Sequence, residues 1–133
     1  MTWKLFLDDQ RMPADAGFYT GNKLFFDYIF VIARSSREAK ELIEERGCPE
    51  FISFDHDLAD AHYAGDFSGE ETGYNFAHWL IYKDIANRGK FIPKDFGYVV
   101  HSMNPVGKEN IEKLLESYLA FRSDDNCKKQ CEI

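Results

Sequence analysis

Apolar and polar positions alternate along this chain in blocks rather than singly. Four short apolar runs stand out: Lys4–Leu7, residues 28–33, Phe51–Phe54 and residues 96–101. Runs of four to six apolar residues bounded by polar ones read as buried strands. Between the later runs lie helical patterns. Ser35 and Glu38 have the spacing of a capping box, and Ala39, Leu42 and Ile43 follow on one face until Gly47 ends it. From Thr72, the residues Phe76, Ala77, Leu80, Ile81 and Ile85 form a stripe, with Gly89 beyond its end. Asn104-Pro105 opens a last helix, with Asn as N-cap and Pro at the first helical position, and Ile111, Leu114, Leu115, Tyr118 and Leu119 mark its buried face.

Two connections are of another kind. Residues 9–27 contain the breakers Pro13, Gly17 and Gly21 and no clean helical period, so they read as a loop with at most a short turn. Residues 57–71 read as a long acidic loop with Asp57, Asp60, Asp66, Glu70 and Glu71, of the length often used as a functional lid. Strands separated by helices imply crossovers and a small parallel sheet of four to five strands, flanked by helices on both faces. Residues 1–122 form one domain and residues 123–133 a polar C-terminal tail.

Two of the strands end in acid. Trp3-Lys-Leu-Phe-Leu is followed by Asp8 and Asp9, and Phe51-Ile-Ser-Phe by Asp55, His56 and Asp57. If these strands are parallel neighbours, up to four carboxylates meet at the carboxyl rim of the sheet, where open α/β sheets bind their ligands. Carboxylates so placed repel one another unless a cation joins them. Hard oxygen donors suit Mg²⁺ or Mn²⁺, with Asp8 or Asp9 plus Asp55 as direct ligands. Asp57 is a further ligand, a supporting group or a base that orients water. His56 and His101 flank the same edge and are candidates for acid–base work. His62 and His78 read as bystanders. Ser102, Asn104 and Gly107 open the last helix, whose N-terminus can hold a phosphate, and Arg11 can clamp one with its planar fork. The aromatic residues Phe18, Tyr19, Phe25, Phe26 and Tyr28 read as core or lid packing, with base stacking as the other use.

Composition narrows the field. With 16 Lys+Arg against 23 Asp+Glu, the net charge of −7 argues against coating of long nucleic acid. A small nucleotide or an RNA end carrying a phosphate remains compatible with it. No apolar run is long enough to span a membrane, and the N-terminal apolar stretch is too short for a signal peptide. Three cysteines, Cys48, Cys127 and Cys131, suit a reducing cytoplasm better than a disulfide framework. The Cys127/Cys131 pair lacks the partners of a zinc site.

Leu5-Phe-Leu-Asp8-Asp9-Gln-Arg11-x-Pro13, Ile52-Ser-Phe-Asp55-His56-Asp57-Leu58, Thr72-Gly73-Tyr74 and His101-Ser-x-Asn104-Pro105-x-Gly107 with Asn110-Ile111 occur in this order. Together they resemble the cyclic-phosphate processing receiver-like family, a divergent relative of response-regulator receiver domains. The resemblance implies a receiver-like (flavodoxin-like) α/β fold whose acidic pocket processes cyclic phosphates of RNA ends or nucleotides. Asp8 and Asp9 match the receiver acidic pair, Asp55 the phospho-acceptor position, and Ser102 lies near the receiver hydroxyl position. A fifth strand with its lysine and a first crossover helix are both missing from the pattern. The leading expectation is therefore a metal-dependent phosphoesterase. In it Asp57 or His56 assists water, His101 gives a proton to the leaving oxygen, and Arg11 with the last helix holds the phosphate. The alternative is a non-catalytic receiver-like signalling or adaptor domain, phosphorylated on Asp55 in the signalling case.

Overall fold

Four strands, β1 (Lys4–Leu7), β2 (Val31–Ala33), β3 (Phe51–Phe54) and β4 (Gly97–Val100), form one all-parallel sheet in the order β2-β1-β3-β4. The computed structural model describes residues 2–57 and 72–131, with side chains to residue 122. Among the described residues five helices flank the sheet: α1 (Pro13–Thr20), α2 (Leu24–Asp27), α3 (Ser36–Arg46), α4 (Gly73–Ala86) and α5 (Pro105–Cys131). The architecture is the expected flavodoxin-like α/β fold. β2 is shorter than its apolar run and starts at Val31, after Tyr28 has ended α2.

The two central strands are buried on both faces, which is why they read as continuous apolar runs. Leu5, Leu7, Ile52 and Phe54 pack against α3, α4 and α5 through Ala39, Ile43, Phe76, Leu80, Ile111 and Leu115. Phe6 points the other way and packs with Ala16 of α1 and Phe25 of α2.

The first connection differs from expectation, because it contains α1 and α2. Pro13 and Gly21 bound α1 rather than interrupt a loop. Pro13 takes the first helical position, where its missing N–H is no loss. Gly21 closes α1 in the left-handed conformation at φ 72°, its N–H bonded to the Gly17 carbonyl. Gly17 sits inside the helix because a Cβ there would lie 2.6 Å from the Phe26 ring.

α3 begins as the sequence predicts, with Ser35 Oγ accepting the Glu38 N–H. On α4 the buried stripe includes Asp84 and not Ile85, which is exposed. Asp84 accepts the N–H groups of Phe91 and Ile92, the Tyr118 hydroxyl and an Arg122 N–H, so its burial is fully served. α5 runs into the expected tail as far as Cys131. The acidic loop beyond Asp57, with Asp60, His62, Asp66, Glu70 and Glu71, lies outside the described residues, as do the Cys127 and Cys131 side chains. No described helix is long and apolar enough to cross a membrane.

Candidate active site at the carboxyl rim of the sheet

Strand register builds the site. Leu7 pairs with Phe54, and Phe54 with Val100. One residue further on stand Asp8, Asp55 and His101, side by side. Backbone bonds continue the ladder across them: Asp55 N–H to the Leu7 carbonyl, and His101 N–H to the Phe54 carbonyl. Each is two residues beyond Phe6, Ser53 or Val99, so all three share the face that packs on α1 and α2. Ligand atoms of the three lie within 4.8 Å of one another, and all three residues are buried.

Asp8 is the most tightly held. Its Oδ1 accepts the N–H groups of Gln10 and Arg11 at 2.8 Å each, and its Oδ2 accepts from His101 Nε2 at 3.0 Å. Burial pushes its pKa up, but the bonds from His101, Arg11 and Gln10 outweigh it and hold the carboxyl at about 2. Asp55 has the opposite fate. Burial, and then the neighbouring charges of Asp8 and Asp9, push it up to about 7. Asp9 lines the same cleft.

His101 is 1% exposed and both its ring nitrogens are engaged. Nε2 meets Asp8, and Nδ1 lies 2.6 Å from the hydroxyl of Ser53. Burial lowers its pKa against the pull of Asp8. The ring is thus neutral, donates from Nε2 and accepts the Ser53 proton at Nδ1. It stacks on Phe6 at 4.5 Å, and its carbonyl accepts the Tyr19 hydroxyl. Expected to give a proton to a leaving oxygen, His101 instead stands behind Asp8.

His56 and Asp57 form a second pair. His56 Nδ1 lies 2.8 Å from Asp57 Oδ1, and Asn104 Nδ2 approaches both Asp57 oxygens at 3.5 Å. Asp57 is exposed and lines the cleft. The His56 ring lies against Gly107, where a Cβ would come within 2.3 Å of it. Gly107 therefore makes room for His56, and its N–H is taken by Asn104 Oδ1 at 3.0 Å. The expected role of Gly107 in close approach to a phosphate is not what its surroundings show.

The cleft between these groups has a volume of about 530 Å³. Arg11 lines it, with its guanidinium over the Tyr19 ring at 5.1 Å and against Met103 Sδ at 3.3 Å. Ser102 lines it too. Its hydroxyl oxygen accepts the Asn104 N–H, which leaves the hydroxyl proton to donate.

The pattern of the cyclic-phosphate processing receiver domain matches residues 3–117. The chain belongs to this family. No curated protein matches it. Among solved structures it is similar to the N-terminal domain of a response regulator/sensory box/GGDEF 3-domain protein from Carboxydothermus hydrogenoformans. That likeness has 16% identity, covers 93% of this chain and 98% of the other, and has a TM-score of 0.43. A yeast Spc42 trimeric coiled-coil fusion is 14% identical, with 97% of this chain and 82% of that one covered and a TM-score of 0.45.

In this receiver domain the residues present fit a divalent cation. Asp55 is a buried carboxyl whose charged form is disfavoured chiefly by burial and two like charges, and a cation reverses the sign of that environment. Asp8 and Asp55 supply oxygen donors at the cleft floor, and Asp9 stands beside them. Oxygen donors select hard cations. Three residues at or behind the site carry no signal in the apolar pattern: Arg34, Tyr19 and Gly73. A Cβ on Gly73 would lie 1.8 Å from the Asp55 carbonyl oxygen, so only glycine lets α4 start against the end of β3. Ser53 does carry a mark there, as a polar residue inside a buried run.

Proposed function

We propose that this domain is a Mg²⁺- or Mn²⁺-dependent phosphoesterase that opens cyclic phosphodiesters on nucleotides or RNA ends. The observation that carries the reading is the pairing of Asp8 and Asp55 at the floor of a cleft whose walls offer Arg11, Ser102 and Asp57. Asp8, Asp9 and Asp55 would hold the cation. When bound, the cation neutralises phosphoryl oxygens and sharpens the acidity of water.

The chain's own groups do the rest. Arg11 presents a guanidinium suited to two phosphoryl oxygens at once. Ser102 donates its hydroxyl proton to a third. Asp57, held between His56 Nδ1 and Asn104 Nδ2, faces the cleft as the base for an attacking water. His101 is a positioning residue, because its Nε2–H fixes the Asp8 carboxylate.

Calorimetry with Mg²⁺ and Mn²⁺ on the wild type and on Asp9→Asn/Asp55→Asn tests the first half. Binding that vanishes in the double variant supports the shared acidic site. Hydrolysis of 2′,3′-cyclic nucleotides tests the second half. Turnover no faster than with metal alone removes the enzymatic reading. The domain would then be a receiver, and mass gain on Asp55 from a small phosphoryl donor would identify it.

A further inference from the structure

We propose that Arg34 is a positioning residue that locks the Asp8–Arg11 turn and so aims Arg11 over the cleft. The functional half of this inference rests on the phosphoesterase reading.

Ala33 pairs with Leu7, so Arg34 stands beside Asp8 just beyond the end of β2. The row of side chains at the rim therefore has a fourth member, in the order Arg34, Asp8, Asp55, His101 across β2, β1, β3 and β4. Arg34 Nη1 donates to the Asp8 carbonyl at 3.2 Å and to the Arg11 carbonyl at 2.6 Å. Its Nη2 reaches Met12 Sδ at 3.2 Å. From the other side, Asp8 Oδ1 accepts the N–H groups of Gln10 and Arg11.

The turn is thus pinned twice. The Asp8 carboxylate gathers its N–H groups, and the Arg34 guanidinium gathers its carbonyls. Holding the N–H and the carbonyl of Arg11 sets the direction of its Cα–Cβ bond, from which the side chain reaches the Tyr19 ring and Met103. Two inward carbonyls beside Asp8, Asp9 and Asp55 also add negative potential that a guanidinium offsets. Lysine can meet the two carbonyls, but it lacks the fork that also spans to Met12.

The test is nuclear magnetic resonance on wild type, Arg34→Met and Arg34→Lys, followed by kinetics with Mn²⁺ and a 2′,3′-cyclic nucleotide. In Arg34→Met the Gln10 and Arg11 amides should lose about tenfold or more of their exchange protection, while Phe6 and Phe54 keep theirs. The Arg11 Nε–H resonance should move to the position of free arginine. KM should rise about tenfold with kcat nearly unchanged, because Arg11 binds and does not react. Arg34→Lys should recover most of both effects. Arg11→Gln/Arg34→Met should be no worse than Arg11→Gln alone, since one residue acts through the other.

Retained amide protection and an unmoved Arg11 resonance overturn the proposal, whether or not the protein turns over. Additive effects in the double variant overturn the link from Arg34 to Arg11. A wild type without turnover removes the phosphoesterase reading alone, and the resonance data still decide whether Arg34 aims Arg11.

Discussion

His101 Nε2 donates to Asp8 Oδ2 across 3.0 Å, between two residues that are each 1% exposed. The contact is a neutral N–H on a carboxylate, with Ser53 fixing the tautomer from behind at 2.6 Å. His101→Phe keeps the stack on Phe6 and deletes both polar contacts. It leaves a buried carboxylate short of a donor, which costs about 2–4 kcal/mol in urea unfolding at pH 7. The acid limb of its stability profile should move to higher pH, because Asp8 loses the strongest of the bonds that lower its pKa. Ser53→Ala should cost less, about 1–2 kcal/mol. Unfolding curves at pH 3 to 7 check both, and an unmoved acid limb would mean that Asp8 does not depend on His101.

Asp55 and Asp8 drive stability in opposite directions with pH. The Asp55 pKa is raised from the ordinary 3.8 to about 7, so across that window the folded protein holds a proton that the unfolded chain has released. Stability of the metal-free protein therefore falls as pH rises toward neutrality. Asp8 is lowered from 3.8 to about 2, so its contribution is complete above 3.8 and is lost as pH falls through that range. From these two carboxyls alone, metal-free stability is greatest near their shared ordinary value of 3.8 and falls on either side of it. Asp55→Asn removes the penalty and should stabilise the metal-free protein at pH 8 by on the order of 1–3 kcal/mol. Thermal melts across pH 3 to 9 in chelator decide it, and a destabilised Asp55→Asn would show that charging Asp55 does not cost stability.

A saturating cation should reverse that profile. At a hundred times its dissociation constant it adds about 2.7 kcal/mol, and at one fixed concentration it adds more above pH 7 than at pH 5, where protons compete for Asp55 and raise the dissociation constant. Melts with and without Mn²⁺ at the two pH values measure the difference. Equal shifts would show that Asp55 is not a ligand.

The strands, α3, the start of α5 and the acidic rim were legible because each rests on local chemistry: a run of apolar residues, a cap, a breaker placed at an end. α1 was not, because Pro13 and Gly21 look the same whether they interrupt a loop or terminate a helix. Ile85 looks like part of the buried stripe and Asp84 does not, because the burial of that carboxylate depends on Tyr118 and Arg122, 34 and 38 residues away, as well as on the nearby N–H groups of Phe91 and Ile92. The same reason hid the state of His101. Its neighbours Ser53 and Asp8 are 48 and 93 residues away in sequence, and only strand register brings them together. Arg34 was invisible for that reason too.

Gly73 marks the tightest approach in the site. Any Cβ there meets the Asp55 carbonyl oxygen at 1.8 Å, and backbone cannot swing aside as a side chain can. Gly73→Ala must push α4 away from β3 and break the bond from its N–H to the His56 carbonyl. The expected loss is about 2–4 kcal/mol, together with weaker Mn²⁺ binding. Calorimetry and urea unfolding on this variant check it. A stable variant with normal metal affinity would mean that the end of β3 need not be fixed by α4.

Gly107 is tight against a side chain, and that difference can be exploited. An alanine Cβ there falls 2.3 to 2.7 Å from three atoms of the His56 ring, so the ring must leave. Asp57 then loses its 2.8 Å partner, while Asp8 keeps its bond from His101. Gly107→Ala should cost about 1–3 kcal/mol of stability. Metal affinity should stay unchanged, and kcat should fall about tenfold or more with little change in KM if Asp57 orients the attacking water. His56→Ala in the same background removes the ring that clashes, so it should return part of the stability without returning kcat. The four-variant cycle separates packing from chemistry. If His56→Ala alone leaves kcat at the wild-type value, the pair of His56 and Asp57 plays no part in activating water, and the base must be sought elsewhere in the cleft.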